Sequence, residues 1–339
     1  MGIFDRLFGT RPKSVPETPQ IRALIERLLV LSPSLRLADG FRERVTPALA
    51  RSIDHVSRLV SELPQAREAS ASTWLDDPYI HAFFAAADEV AHILSRSPDL
   101  HAWFENHSLA RETFAVLGMA MTERRVFGVE QVGDTVHADV VRTTLSFDDH
   151  QVRVCGETEA DLRVQIVQRV VEQIALEGLA QISADESRRD ALVQERALLK
   201  TRLQLLTRHG AGTHKMLGEH ALSNAAERIE LEAAIEANER DISALGLKTD
   251  ALAHELDVIC DVLSHPERHT NVEMKRYRLN AMNVVIDGSA APDGSEIVFP
   301  LAQLPASPLV ERAFSLVRFA RSDLVPLPSV LDKDSRFVI

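Results

Sequence analysis

From Ile21 onward the apolar residues recur every three or four positions, and Ile21, Leu24, Ile25, Leu28 and Leu29 mark one face of a helix. The helical pattern continues to about Arg124. Thr46-Pro47, Asp77-Pro78 and Ser97-Pro98 each place a capping side chain before a proline at the first helical position, where a missing N–H costs nothing. The segments 20–31, 47–63, 78–95, 98–106 and 108–124 therefore predict an N-terminal helical bundle over 20–124. Trp74, Tyr79, Phe83, Phe84, Trp103, Phe104 and Phe114 fall inside it and read as packing, because aromatic area dominates cores.

The period then changes. Residues 126–131, 136–147 and 151–155 are rich in Val and Thr and are separated by turn compositions at 132–135 and 148–150, which predicts a three-stranded meander. A second β-favouring stretch, 277–287, joins 296–301 through a loop containing Pro292 and Gly294. Isolated pairs of strands are marginal in water, so both patches are expected in one small antiparallel sheet built from sequence-distant segments. Helix 158–180 has a broad apolar face, Leu162, Ile166, Val167, Val170, Val171 and Ile174, suited to packing on a sheet. Residues 308–320 read as a last helix through Leu309, Val310, Phe314, Leu316 and Val317, followed by a surface tail with Pro326 and Pro328.

Between the two β patches lies a heptad seam. Leu231, Ile235, Asn238, Ile242, Leu245, Thr249, Leu252, Leu256, Ile259 and Leu263 follow alternating steps of four and three, with Asn238 and Thr249 as the polar positions that fix register. Leu192, Leu199, Leu203 and Leu206 give a shorter seam upstream, interrupted by Arg196. Residues 183–208 carry six Lys/Arg and four Asp/Glu, whereas 221–263 carry three and ten. Arms of opposite sign joined by the glycine-containing stretch 207–221 predict an antiparallel coiled-coil hairpin. Its rival, a parallel dimer through the same seam, would leave the cationic arm without a partner. The expected class is α+β, mostly α. Its parts are residues 1–19 as an amphipathic opening and Pro-containing linker, 20–124 as the bundle, 125–182 plus 272–339 as an α+β head, and 183–271 as the inserted hairpin.

Composition narrows the function classes. The chain has 339 residues, 45% apolar and 26% charged, and a formal net charge of -12 that opposes phosphate-backbone binding, so no nucleic-acid partner is expected. Cys155 and Cys260 are the two cysteines, too far apart in sequence for a C-x-x-C site, which fits reduced thiols in a cytoplasm. No apolar run approaches the length of a membrane span and no secretory h-region stands at the start. Ile3, Phe4, Leu7 and Phe8 do form a short apolar helical face followed by Arg11 and Lys13, which suits docking on the protein itself or weak contact with an anionic membrane surface.

Chemistry-bearing patterns are sparse. His209, His214 and His220 near Glu219 fall at the expected hairpin tip and could converge on zinc, but their spacing matches no standard site. His265 and His269 have H-x3-H spacing without a second ligand pair, and His101 and His107 do not share a helical face. The 210–215 stretch lacks the frame of a phosphate loop, and no cofactor is expected. Asp76-Asp77 and Asp148-Asp149 read as capping and turn carboxylates.

The opening Met1-Gly-Ile-Phe4 with Arg6, followed later by a helical hairpin, resembles the phage-shock protein A group, whose members sense and remodel membranes. The likeness covers a handful of residues and implies membrane contact; that group is helical throughout, whereas this sequence has β segments on both sides of the hairpin. The reading that follows is a non-enzymatic cytoplasmic interaction or scaffold protein that binds protein partners, with self-association through the coiled coil and peripheral membrane contact as further expectations. The alternatives are a membrane-associated stress adaptor and an enzyme with His137, His150 or Asp149 in a cleft between bundle and sheet.

Overall fold

Caps and prolines set the first helices of the computed structural model, which describes residues 16–132, 135–212, 218–245, 251–286, 294–304 and 310–326. Thr18 accepts from the Ile21 N–H to open α1 (Pro19–Leu31). Helix α2 (Phe41–Ser61) follows Gly40, whose φ of 66° is a left-handed turn before the helix. Pro47 lies inside α2 and does not start it, contrary to the sequence expectation. Asp77 and Ser97 do cap as expected, accepting from Tyr79 N and Leu100 N at the starts of α4 (Pro78–Phe83) and α6 (Pro98–Asn106). The expected helix 78–95 is divided in two, α4 and α5 (Ala87–Leu94), and a one-turn α3 (Thr73–Asp76) precedes them.

The class is α+β and mostly α, with about 59% of residues helical and 25% in an antiparallel sheet of sequence-distant strands. Two strand assignments correct the sequence reading. Residues 108–124 are not a helix: strand β2 (Glu112–Val132) begins there and pairs with β3 (Thr135–Gly156). The three-stranded meander is thus one long hairpin, and residues 148–150 form a bulge within β3, where Asp149 takes a φ of 47°. Residues 308–320 are likewise not a helix. Strand β6 (Val310–Ala320) pairs with β2 on one side and with β5 (Ser295–Leu304) on the other, and β5 pairs with β4 (Asn271–Leu279). A two-residue β1 (Arg67–Glu68) adds to β6 in parallel.

The path β3-β2-β6-β5-β4 has two edges, and the segment after β4 joins them. Asn283, with φ of 54°, closes a turn from Asn280. Ile286 N then donates to Arg278 O at 2.8 Å, while Val285 N donates to Thr143 O at 2.8 Å and Leu145 N to Asn283 O at 2.9 Å. Backbone bonds therefore run from β4 to β3, and the sheet closes on itself. Alternate residues point to one buried side: Ala115, Leu117 and Met119, Ile297, Phe299 and Leu301, Ala313, Val317 and Phe319. Phe83 from α4 enters this core, and Phe83, Phe147 and Phe299 meet edge to face with centroids 5.0 to 6.1 Å apart.

After Gly156 the chain turns into α7 (Glu159–Gly212), a helix of 54 residues, so the expected helix 158–180 and the first hairpin arm are continuous. A Cβ at Gly156 would meet Leu162 N at 2.8 Å, which makes glycine the residue for this close approach. Thr158 accepts from Asp161 N and Asp161 accepts from Glu157 N, a reciprocal cap. One turn on, the Arg163 guanidinium donates to Val60 O, and at 3.0 Å to Leu63 O and Pro64 O, satisfying carbonyls at and beyond the end of α2. Helices α8 (Gly218–Ala244) and α9 (Ala251–Ser264) complete the order.

Contacts divide the chain into two units, Met1–Ser52 with Val171–His265, and Ile53–Val170 with Pro266–Ile339. The second unit holds the closed sheet and α3 to α6. In the first, α1 and the start of α2 meet α7 and α9. The buried Ser52 hydroxyl donates to Leu263 O, Ser34 donates to Glu255 at 3.1 Å, and Gly178 lets Ile259 and Val262 approach α7 closely. Phe299→Ala removes the ring shared by the aromatic trio and is expected to cost about 3–5 kcal/mol, read from the urea midpoint of the full chain.

Candidate functional site

The helical hairpin expected from the sequence is present, and its pairing is antiparallel. Arg189 donates to Leu245 O, Asn238 Nδ2 to Glu195 at 3.1 Å, Lys200 pairs with Glu239 at 2.8 Å and Arg202 with Glu227 at 2.5 Å. Higher positions on α7 thus meet lower ones on α8. Along α7 the more covered residues are Ile182, Asp185, Arg189, Leu192, Arg196 and Leu199, then 203 and 206, a strict 3–4 spacing with three charged members. On the return arm Leu231, Ile235, Asn238, Leu256, Ile259 and Leu263 are buried and Ile242, Leu245 and Leu252 half-buried. Thr249 lies outside the described residues.

Asn238 is the polar residue at the centre of this seam. It is 5% exposed, and while its Nδ2 reaches Glu195, its Oδ1 is buried without a hydrogen-bond partner. Such a group destabilises the paired helices and fixes their register, because sliding would bury it among leucines. Outside the seam, α8 presents exposed Glu230, Glu232, Glu236 and Asp241, and Ile229 stands 62% exposed among them. On α7, Leu198 is 72% and Leu205 50% exposed. A second exposed apolar pair lies on the long β hairpin, where Phe127 and Val141 face each other across the strands.

Among the described residues the metal and catalytic candidates are not brought together. The side chains of His209, His214 and His220 lie outside the described residues, as do Ile3, Phe4, Leu7, Phe8 and the side chain of His137. Among the described residues no three His, Cys, Asp or Glu side chains are grouped to hold a metal ion. His265 faces Asp261 on its own helix, His101 Nε2 bonds Ser95 O, and His107 stacks on Trp103 while its Nδ1 bonds Trp103 O. Burial pushes the Cys155 thiol up to about 12 and Cys260 to about 11, which makes both poor nucleophiles.

Asp149 and His150 are neighbours on the β3 bulge, yet they turn to different tasks. Asp149 is gripped by Arg312 at both its carboxylate and its backbone oxygen, and by Gln151; these bonds hold its carboxyl below the usual range. His150 packs inward, stacked on Phe84 at 4.9 Å, and its Nε2 bonds Phe83 O at 2.7 Å. That bond belongs to a set: Asn283 Nδ2 donates to Ala82 O and Trp74 Nε1 to Phe84 O, each at 2.8 Å. Three carbonyls at the end of α4 are therefore satisfied by side chains from three other segments. Arg163, Asn283 and Arg312 carry much of this geometry and were not singled out from sequence. Only Glu159 four residues before Arg163 offered a local signal.

A shallow apolar dent in the first unit is lined by Leu24, Leu28, Leu31, Leu49, Val171 and Ala175, with the Arg27–Glu172 ion pair. It holds no acid–base pair fit for catalysis. No family model matches the sequence, and neither a curated protein nor a solved structure does.

Two outcomes are expected. Replacing Asn238 by Leu removes the unpaired oxygen and raises stability by about 1 kcal/mol in denaturant titration. Burial lowers the His150 pKa, against the opposing pull of the Phe83 carbonyl, Asp148, Asp149 and Glu89. The unfolded chain then takes up this proton near 6.5 while the folded chain resists it, so stability falls as pH drops below that value. His150→Gln keeps an N–H donor without the titration and is expected to flatten that slope in thermal melts taken from pH 7.5 to 5.

Proposed function

We propose that this chain is a non-enzymatic interaction or scaffold protein that uses its helical hairpin to bind protein partners. The observation that supports this reading is the surface of the hairpin: Leu198, Leu205 and Ile229 stand in solvent on helices whose seam is already occupied by each other. An apolar side chain on the outer face of a paired helix gains nothing for the fold, and in sequence-wide excess of acid over base the return arm offers a surface for a complementary partner. The helices between Pro19 and Asn106 supply a second contact area, and the cytoplasm is the compartment that two free thiols, Cys155 buried and Cys260 half-buried, fit. Among the described residues no helix is long and apolar enough to cross a membrane.

The test replaces only residues 190–244 with a short Gly/Ser loop, because α9 packs in the first unit and must stay. Partners captured by the full chain and lost in this variant, with an unchanged thermal transition for the sheet unit, are the expected result. An identical partner set in both proteins would overturn the reading. Flotation of the full chain with anionic vesicles, abolished by deleting residues 1–10, would favour the membrane adaptor instead.

A further inference from the structure

The outer face of α7 is a second seam. Ala191, Gln194, Leu198, Thr201 and Leu205 follow steps of three and four, all five are exposed, and positions 197 and 204 beside them are Ala and Gln. Every charged side chain of α7 between 191 and 207, namely Glu195, Arg196, Lys200 and Arg202, lies at or beside the inner seam that faces α8. This inverts the usual arrangement, in which the outward face of a paired helix carries the charge and keeps it soluble. The outer face of α8 is mixed, with Glu230, Glu236 and Arg240 beside exposed Ile229, Ala233 and Ala237.

We propose that this uncharged stripe is the contact between two copies of the chain, packed antiparallel through their α7 helices. The inference rests on the interaction reading and names the partner of the hairpin. Three features favour a second copy. A stripe without charge meets its own image without repulsion, although the chain as a whole carries -12. Glu195 and Arg202 flank the stripe on the same side, seven residues apart; each already meets its own α8, through Asn238 and Glu227, but the Arg202 side chain stays 65% exposed, and a two-fold axis that reverses the helix direction sets the acid of each copy opposite the base of the other. Pairing through α7 also turns both acid-rich α8 arms outward, where their charge stays hydrated. The 15 residues from Ala191 to Leu205 span only about 22 Å, which gives an interface at the small end of the stable range and hence a concentration-dependent dimer.

The experiment is sedimentation equilibrium of the full chain over a concentration series up to about 100 µM, beside Leu198→Glu/Leu205→Glu and Leu198→Met/Leu205→Met. Both sites are exposed, and circular dichroism checks that helix content is retained. The expected result is a mass that rises from 37.6 kDa towards twice that value in the wild type and the Met variant, with association weakened at least tenfold in the Glu variant. A wild type that stays monomeric throughout, or a dimer that survives the Glu substitutions, overturns the proposal. A monomer that still captures other proteins through the hairpin would sink the self-contact alone and leave the interaction reading standing.

Discussion

The sheet unit depends on the hydrogen bonds that Asn283, Val285 and Ile286 make on either side of the turn after β4. A five-strand path has two open edges, each a row of unpaired backbone groups. Here the edges belong to strands more than a hundred residues apart, and the segment that joins them is too short to be a strand in its own right. It works because Asn283 adopts a left-handed backbone, which Asn tolerates, and so reverses the chain between β4 and β3. Asn283 also spends its side chain on Ala82 O, which ties the same turn to the end of α4. Closure brings Phe299 from β5 against Phe147 from β3, and the Phe83 ring completes the contact. Without the closure, the aromatic trio would face water on one side.

What was legible in the sequence follows the same physics. Helix starts at Asp77-Pro78 and Ser97-Pro98 depend on two adjacent residues and were readable from them. The heptad arms were readable because their burial follows one period for many turns. The misread stretches are the central strands. Residues 113–121 hold Ala115, Leu117 and Met119 on the core side, but Phe114, Val116 and Gly118 between them are also apolar or small, so the alternation that marks a strand is lost. Ala, Leu and Met then favour the helix on propensity. In β6, Phe314 and Val317 share a helical face as readily as Val317 and Phe319 share a strand face; the choice is made by β2 and β5, which no local window contains. The Asp148-Asp-His150 stretch has turn composition because a bulge and a turn both need a residue with positive φ.

The candidate chemistry divided differently. Two residues that look catalytic in sequence proved to be occupied, since His150 satisfies a helix-end carbonyl and Asp149 holds Arg312; His107, weighed for metal binding, caps its own helix. Each such role needs only one partner, which is why a lone polar residue says little about reactions. Arg163 shows the reverse case. It looks like a surface charge on an amphipathic helix, yet its guanidinium closes three backbone carbonyls around the end of α2.

The hairpin carries information in the placement of its charges more than in their number. Its inner seam accepts Asp185, Arg189, Arg196 and Asn238, groups that cost stability when covered, while the solvent face of α7 is given Leu198 and Leu205. Folding alone would favour leucine at every seam position and charge outside, whereas here Leu192 and Leu199 alternate along the seam with Arg189 and Arg196. Polar seam residues set register, and register fixes which α7 residues point outward; a slip of one position would carry the uncharged stripe round the helix by about 100°. The stability given up at Asn238 is therefore linked to the outer surface: the register it favours holds that stripe in a single orientation.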